Sequence, residues 1–372
     1  MQRIWWFRTF INFIIIIDDK NMKDKIFFES IQMIFGIYLI PIVCIPGLIG
    51  NILCMIVFIT NSMQRFLTTQ FLLFLAISDT IKLSNDLLYS FVLIIQLFNP
   101  YLGKKIFLKL YRSCHYINAV STFCTAWFTL TVAIERWVWD RRKNGEIEFD
   151  FLFEFRYILC GTNCQARMNI QKNFRQICYL IIFFSLLMAL PVSFRYEIAP
   201  MISNEILMNS TSSLIRLSKF GSSRYFRLYS IFFDLIRAVI PSLALFYLNT
   251  RIVYYISQKK SSAGTAFYRL TMSLIIIIGC FICCYFPDAL LSLILNMGYI
   301  DESYQRRAIR EITDFFVTVN SATNFAIYFS ISSTFRRAML KLFERPSKYY
   351  YPTTYEDIIQ RQRLQQQQQR RL

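Results

Sequence analysis

The sequence predicts an all-α membrane protein: a seven-transmembrane helix bundle with a short amphipathic eighth helix. Three observations point there. Only 17% of its 372 residues are charged while 55% are hydrophobic, against roughly 25% charged in soluble domains. Apolar runs recur at approximately 34–60, 68–96, 112–139, 177–194, 228–257, 268–297 and 310–331. A basic amphipathic stretch follows the last of them. A hydrocarbon core of about 30 Å needs about 20 helical residues, and each run is near or above that length. Lipid offers a bare backbone no hydrogen-bond partner, so each run must be a helix or a strand of a closed barrel, and these are far longer than barrel strands.

Residues 1–33 are read as an extracellular N-terminal segment. Within it, 4–17 (IWWFRTFINFIIII) are interrupted by Arg8 and too short to span, and no small-x-small cleavage site follows, so an interfacial segment is favoured over a signal peptide. Residues 34–331 form the seven-transmembrane domain. Its links are short and polar except 140–176, where Arg141, Arg142 and Lys143 mix with Glu146, Glu148, Asp150 and Glu154. In SSTFRRAMLKLF, residues Phe335, Met339, Leu342 and Phe343 share one helical face, which predicts a membrane-surface helix over 332–343. Residues 344–372, with Gln365–Gln369 and a Tyr/Thr-rich patch, offer little for a core and are read as a disordered cytoplasmic tail.

The formal charge is +18. Its Lys and Arg lie mainly between the apolar runs, where anionic headgroups of the bilayer are the natural partner, so no nucleic acid is expected. A slight excess of these residues in the links after the first, third and fifth runs and in the tail has the sign required for a cytoplasmic tail and an N-terminus outside the plasma membrane, without deciding it alone. The acceptor Asn209-Ser210-Thr211 between the fourth and fifth runs agrees with an extracellular, glycosylated link. Ten cysteines and the single His115 make no zinc spacing, and Cys280, Cys283 and Cys284 read as small hydrophobes inside an apolar run. No metal is expected, no cofactor beyond an allosteric sodium ion, and no enzyme chemistry.

A charge at the centre of a span costs about 2.5–3.5 kcal/mol, so ionisable groups at depth require a reason. Asp79 is the sharpest case. Asn51, Thr125, Asn320, Ser321 and Asn324 fall at depths where they can meet it, forming an internal polar site suited to hydration or a sodium-like cation. Nearer the outside, Lys82, Asp86, Asn118, Asp234, Arg237, Asp288 and Asp314 are candidate pocket residues. Lys82/Asp86 at i,i+4 and Asp234/Arg237 at i,i+3 fit mutual neutralisation on one helix face equally well.

The order Gly50-Asn51, Leu75-Ala76-x-Ser78-Asp79, Glu135-Arg136-Trp137, Pro241, Phe281-x-x-Cys284-Tyr285-Phe286-Pro287 and Asn324-x-x-x-Tyr328 resembles the rhodopsin-like G protein-coupled receptors. The resemblance extends over 34–343. It implies that Glu135 restrains Arg136 until the cytoplasmic end of the sixth span swings outward, that Phe281 and Tyr285 repack beside a kink at Pro287, and that Tyr328 turns inward. A heterotrimeric G protein, and arrestin after it, are the implied partners. The chain departs from the family pattern at Phe325, where a proline is usual, at Tyr285, where tryptophan is, and at Phe267, where many relatives place an acid. The last departure implies a looser resting state with higher basal signalling. Cys114 lies nearer to Arg136 than the family's bridging cysteine, and 192–228 hold no cysteine, so the usual extracellular bridge is expected to be absent.

Asn118 stands where amine receptors carry an aspartate and Thr318 where opsins carry the retinal lysine, so the resemblance favours neither ligand. The fourth run, CYLIIFFSLLMALPVSFRYE, is similar to FMRFamide-type neuropeptide receptors. A peptide bringing Arg and an amidated aromatic, with its guanidinium on Asp288 or Asp314, is the expected ligand. A chemosensory receptor for a small molecule is the alternative. A transporter is disfavoured because the halves show no self-similarity.

Overall fold

A computed structural model describes residues 20–60, 63, 67–143, 166–200, 213–258, 266–295 and 303–343. Asn209, residues 1–19 and the tail from 344 lie outside the described residues, and so do the side chains of Arg136 and Phe267.

Helix α1 (Lys20–Ile31) runs through a π-helical turn, Gln32–Leu39, into α2 (Ile40–Ile59). The widened turn leaves the Gly36 carbonyl to accept a hydrogen bond from Ser90 Oγ on α3 (Leu67–Phe98). Helix α4 (Pro100–Lys143) is separated from α3 by the single residue Asn99. The Leu102 amide donates to Asn99 Oδ1 at 3.0 Å, and Pro100 takes the first helical position, so the cap and the proline build a sharp corner. The polar residues between the second and third apolar runs are therefore helical.

Helix α5 (Ala166–Ala189) ends in a 3₁₀ turn, Leu190–Phe194, followed by the antiparallel hairpin of β1 (Tyr196–Pro200) and β2 (Ser213–Leu217), in register with Ile198 opposite Ile215. Helix α6 (Arg224–Asp234), capped by Ser223, leads through a second π turn, Leu235–Val239, into α7 (Ile240–Gln258). Helices α8 (Ala266–Leu295), α9 (Tyr304–Ile331) and α10 (Ser333–Phe343) complete the chain. The α9 helix is continuous through Phe325.

Helices α2 and α3, α3 and α4, α4 and α5, α7 and α8, and α8 and α9 pack side by side, α9 returns to α2, and α4 touches α3, α5, α7 and α8. The α2/α9 seam is close because it is built on glycine. A Cβ at Gly47 would lie 2.6 Å from Ala322 Cβ, and one at Gly50 2.7 Å from Phe325 Cβ.

The surface inverts that of a water-soluble protein. Ile42, Ile49, Ile56, Phe183, Leu187, Leu243 and Phe246 point outward while Asn51, Asp79, Lys82, Asp288 and Asn324 are buried. Among the described residues, 23–59, 68–98, 100–135, 176–194 and 224–254 are helical, long and apolar enough to cross a membrane, and Ile275–Leu291 is a shorter apolar stretch. Both features are consistent with a chain embedded in a bilayer. Helix α9 is not among those five: its N-terminal turns carry Arg306, Arg307, Arg310, Glu311 and Asp314, and its buried face carries Thr313, Thr318, Asn320, Ser321 and Asn324. Contacts with α2, α3 and α8 cover that polar face.

The hairpin is held without a bridge, for Cys114 is a free thiol. Tyr196 and Ile215 pack with Tyr111, Phe107 and Leu108 of α4. Arg112 Nε donates to the Ser193 carbonyl at 3.0 Å. Aromatic burial thus supplies part of the constraint a disulfide would otherwise give. At the opposite end, Phe335 of α10 packs edge-on to Phe58 and beside Tyr328, while Arg336 Nη1 caps α9 by donating to the carbonyls of Phe329 (3.0 Å) and Ser330 (2.6 Å).

Candidate functional site

Asp79, fully buried on α3, is the central group. Thr125 Oγ1 of α4 donates to its Oδ1 at 2.9 Å and Asn324 Nδ2 of α9 to its Oδ2 at 2.7 Å. Asn51 Nδ2 of α2 donates to the Ser321 carbonyl at 2.9 Å, pinning the same stretch of α9. The α2/α9 seam matters here, because it lets Asn51 reach the α9 backbone. Of the six residues expected at this site, Thr125 and Asn324 share the Asp79 carboxylate, while Asn51 reaches the Ser321 backbone beside it. Asn320 is buried on α9, and its carbonyl accepts from Thr323 Oγ1 within the helix. A carboxylate ringed by neutral donors, with lone pairs to spare, suits a hydrated or small-cation site.

Beside this centre, Phe281 and Tyr285 stack one helical turn apart on α8, centroids 4.3 Å apart and planes 16° from parallel, both completely buried. Ala126 and Leu130 of α4, Leu245 and Leu248 of α7 and Val317 of α9 enclose them. Pro287 lies inside the helix just beyond, where it removes one backbone donor. At the α10 end of the bundle, Tyr328 meets Phe58 edge to face at 5.5 Å. Glu135 accepts a hydrogen bond from Thr68 Oγ1 of α3, a partner not anticipated from the sequence, and Arg136 is the next residue of α4.

A second set of buried charges forms a ladder. Arg237 Nη2 lies 3.0 Å from Asp234 Oδ1 and 3.2 Å from Asp288 Oδ2, while Arg310 reaches Asp288 Oδ1 at 3.3 Å and Asp314 Oδ1 at 3.6 Å. Thr313 Oγ1 and Thr122 Oγ1 sit at its edges, 3.4 Å from Asp288 Oδ1 and 3.5 Å from Arg237 Nη1. Asp288 therefore carries two guanidiniums from its own chain. Asp234/Arg237 is the helix-face pair that the spacing allowed, extended across to α8 and α9.

Lys82 and Asp86 also pair, at 2.6 Å, and Thr318 Oγ1 donates to Asp86 Oδ2 at 2.7 Å. That pair forms one wall of a cavity of about 130 Å³ lined by α1, α2, α3, α4 and α9. Of the candidate pocket residues, Lys82, Asp86, Asn118 and Asp314 line it, whereas Asp234, Arg237 and Asp288 belong to the ladder. The sequence reading missed Gln32, Tyr89 and Glu311, which form a relay on the cavity wall: Gln32 Nε2 donates to Tyr89 Oη at 3.0 Å, and Tyr89 Oη to Glu311 Oε1 at 2.7 Å. It also missed Arg310. The signal is present in the i,i+4 spacing of Arg310 and Asp314, but is masked because the apolar run begins at that arginine. Gln32 had no such signal, since only the continuation of α1 into α2 carries it to α3.

No family model and no curated protein matches this chain.

Proposed function

We propose that the chain is a rhodopsin-like G protein-coupled receptor of seven transmembrane helices, with an extracellular N-terminus and a cytoplasmic tail, that passes binding of an extracellular ligand to a heterotrimeric G protein at the plasma membrane. The Asp79 centre carries this reading: Thr125 of α4 and Asn324 of α9 donate to the α3 carboxylate, and Asn51 of α2 holds the neighbouring α9 backbone, with Asn51, Asp79 and Asn324 at positions the family resemblance named. A bistable helix packing needs such a centre, since polar groups that exchange partners cost little to rearrange compared with an apolar core. The stacked Phe281/Tyr285 pair against α4 and α7, next to the proline of α8, is the second support.

Ligand enters the cavity between α1, α3, α4 and α9 in this reading, and a neuropeptide is the favoured class. With Asp288 held by Arg237 and Arg310, the carboxylates facing that cavity are Asp86, Glu311 and Asp314. The direct test expresses the full chain in cultured cells and screens a neuropeptide library by second-messenger output. Arg136→Ala abolishes the response at unchanged surface expression. A full response from that variant defeats the mechanism, and a response confined to small odorant-like molecules moves the reading to a chemosensory receptor.

A further inference from the structure

The cavity and the ladder share one side chain. Asp314 lines the cavity, and it is also the ladder's terminal carboxylate, reached by Arg310 through the long 3.6 Å contact. The other half of the ladder ends on helix α8 and the π turn before α7, through Asp288 and Arg237. Among the described residues, the cavity lining and the ladder together hold five carboxylates (Asp86, Asp234, Asp288, Glu311, Asp314) and four cations (Lys82, Arg237, Arg307, Arg310). Carboxylates outnumber cations by one. Lys82 is taken by Asp86, and Arg307 lies over the Phe28 ring at 4.2 Å.

A second, independent feature asks for donors. Asn85 Oδ1 and Asn118 Oδ1 are buried in the cavity wall and meet no hydrogen-bond donor from the described residues. Buried acceptors without donors are costly. A group that brings both positive charge and several N–H bonds answers both demands, and the rings of Phe28, Tyr89, Phe107 and Tyr111 offer an aromatic body a place to rest.

We propose that this cavity receives the cationic N–H end of an aromatic ligand, and that its pairing with Asp314 shifts Arg310 wholly onto Asp288 and so displaces Arg237 from that carboxylate. Each oxygen of Asp288 now takes one guanidinium. An Arg310 released from Asp314 binds both oxygens in the two-pronged geometry arginine favours, leaving Arg237 to Asp234. The tie between α8 and the π turn then opens three residues from Tyr285. The consequence for signalling rests on the receptor reading above, while the binding step does not.

The test uses the full chain in lipid nanodiscs with benzamidine as the cationic probe and benzamide as its neutral counterpart. Benzamidine near saturation raises the unfolding midpoint by about 2 °C or more, and benzamide does not. Asp314→Asn loses the shift, whereas Glu197→Gln, on the exposed hairpin, keeps it. Arg310→Met, which removes the internal competitor for Asp314, tightens benzamidine about tenfold. Arg310→Gln is read in the same way if the first variant does not fold. Equal shifts from the two probes, a full shift in Asp314→Asn, or unaltered affinity on losing Arg310 each overturn the proposal. Benzamidine binding by a chain that never couples to a G protein supports this inference and removes the receptor reading. A peptide-driven signal of unchanged potency in Asp314→Asn does the reverse.

Discussion

Two buried polar regions lie in one bundle and are built on opposite principles. At the centre, Asp79 is held by neutral donors, and among the described residues no cationic side chain is bonded to it. Farther out, Asp234, Arg237, Asp288, Arg310 and Asp314 neutralise one another in series. A ring of hydroxyls and amides tolerates a change of proton, water or small cation, because each donor re-forms its bond elsewhere at little cost. A series of ion pairs does not, because removing one member leaves a buried charge uncompensated. The centre is therefore suited to adjust and the ladder to hold until something competes for one of its members.

That contrast is most sharply broken at Arg237. Arg237→Met leaves Asp234 and Asp288 without their shared cation and is expected to destabilise the chain by about 3–5 kcal/mol. Adding Asp234→Asn should recover part of the loss, as read from thermal unfolding in nanodiscs. If Arg237→Met unfolds like the parent, the ladder does not hold the bundle through its ion pairs and the comparison fails. Next comes the seam that aligns the centre. Gly50→Leu drives a side chain into Phe325 and is expected to cost about 1–3 kcal/mol, with proteolysis of α9 in the folded state as a sensitive measure.

A smaller effect is expected where a pair keeps its charge partner. Thr318→Val removes one hydrogen bond from Asp86 while Lys82 remains, so a loss of about 1 kcal/mol is expected in chemical denaturation. The smallest change in stability belongs to the centre itself. Asp79→Asn loses one acceptor but no longer buries a charge, and the two offset to within about 1 kcal/mol. Its signature is ionic instead: sodium chloride, compared with choline chloride, stabilises the parent and not the variant. A sodium response that survives in Asp79→Asn places the ion elsewhere.

How far these regions were legible in the sequence differs for the same reason. The central residues announce themselves because each is a lone polar group in an apolar helix, and an isolated anomaly is easy to see. The ladder was half visible. Asp234/Arg237 carries its own spacing, but the link to Asp288 and Arg310 crosses from one helix to another, where spacing is silent. Asp288 looked like a residue awaiting a ligand, and the fold shows it already held. The hairpin makes the converse point: the lack of a suitable cysteine pair was evident, while the packing of Tyr196 on Tyr111 that takes its place required the fold.

What the sequence alone determined is the helical, lipid-facing character of the chain, because apolar runs of that length leave the backbone no other way to satisfy its hydrogen bonds. It also determined which residues are anomalous at depth, since the cost of burying a charge belongs to the side chain and not to the arrangement. Only the tertiary structure decided which anomalies meet. The α3/α4 corner at Asn99, the glycine seam of α2 and α9 and the π turns set the rotation and depth of each helix, and Coulomb and hydrogen-bond energies fall off too steeply with distance for partners to be known before those are in place.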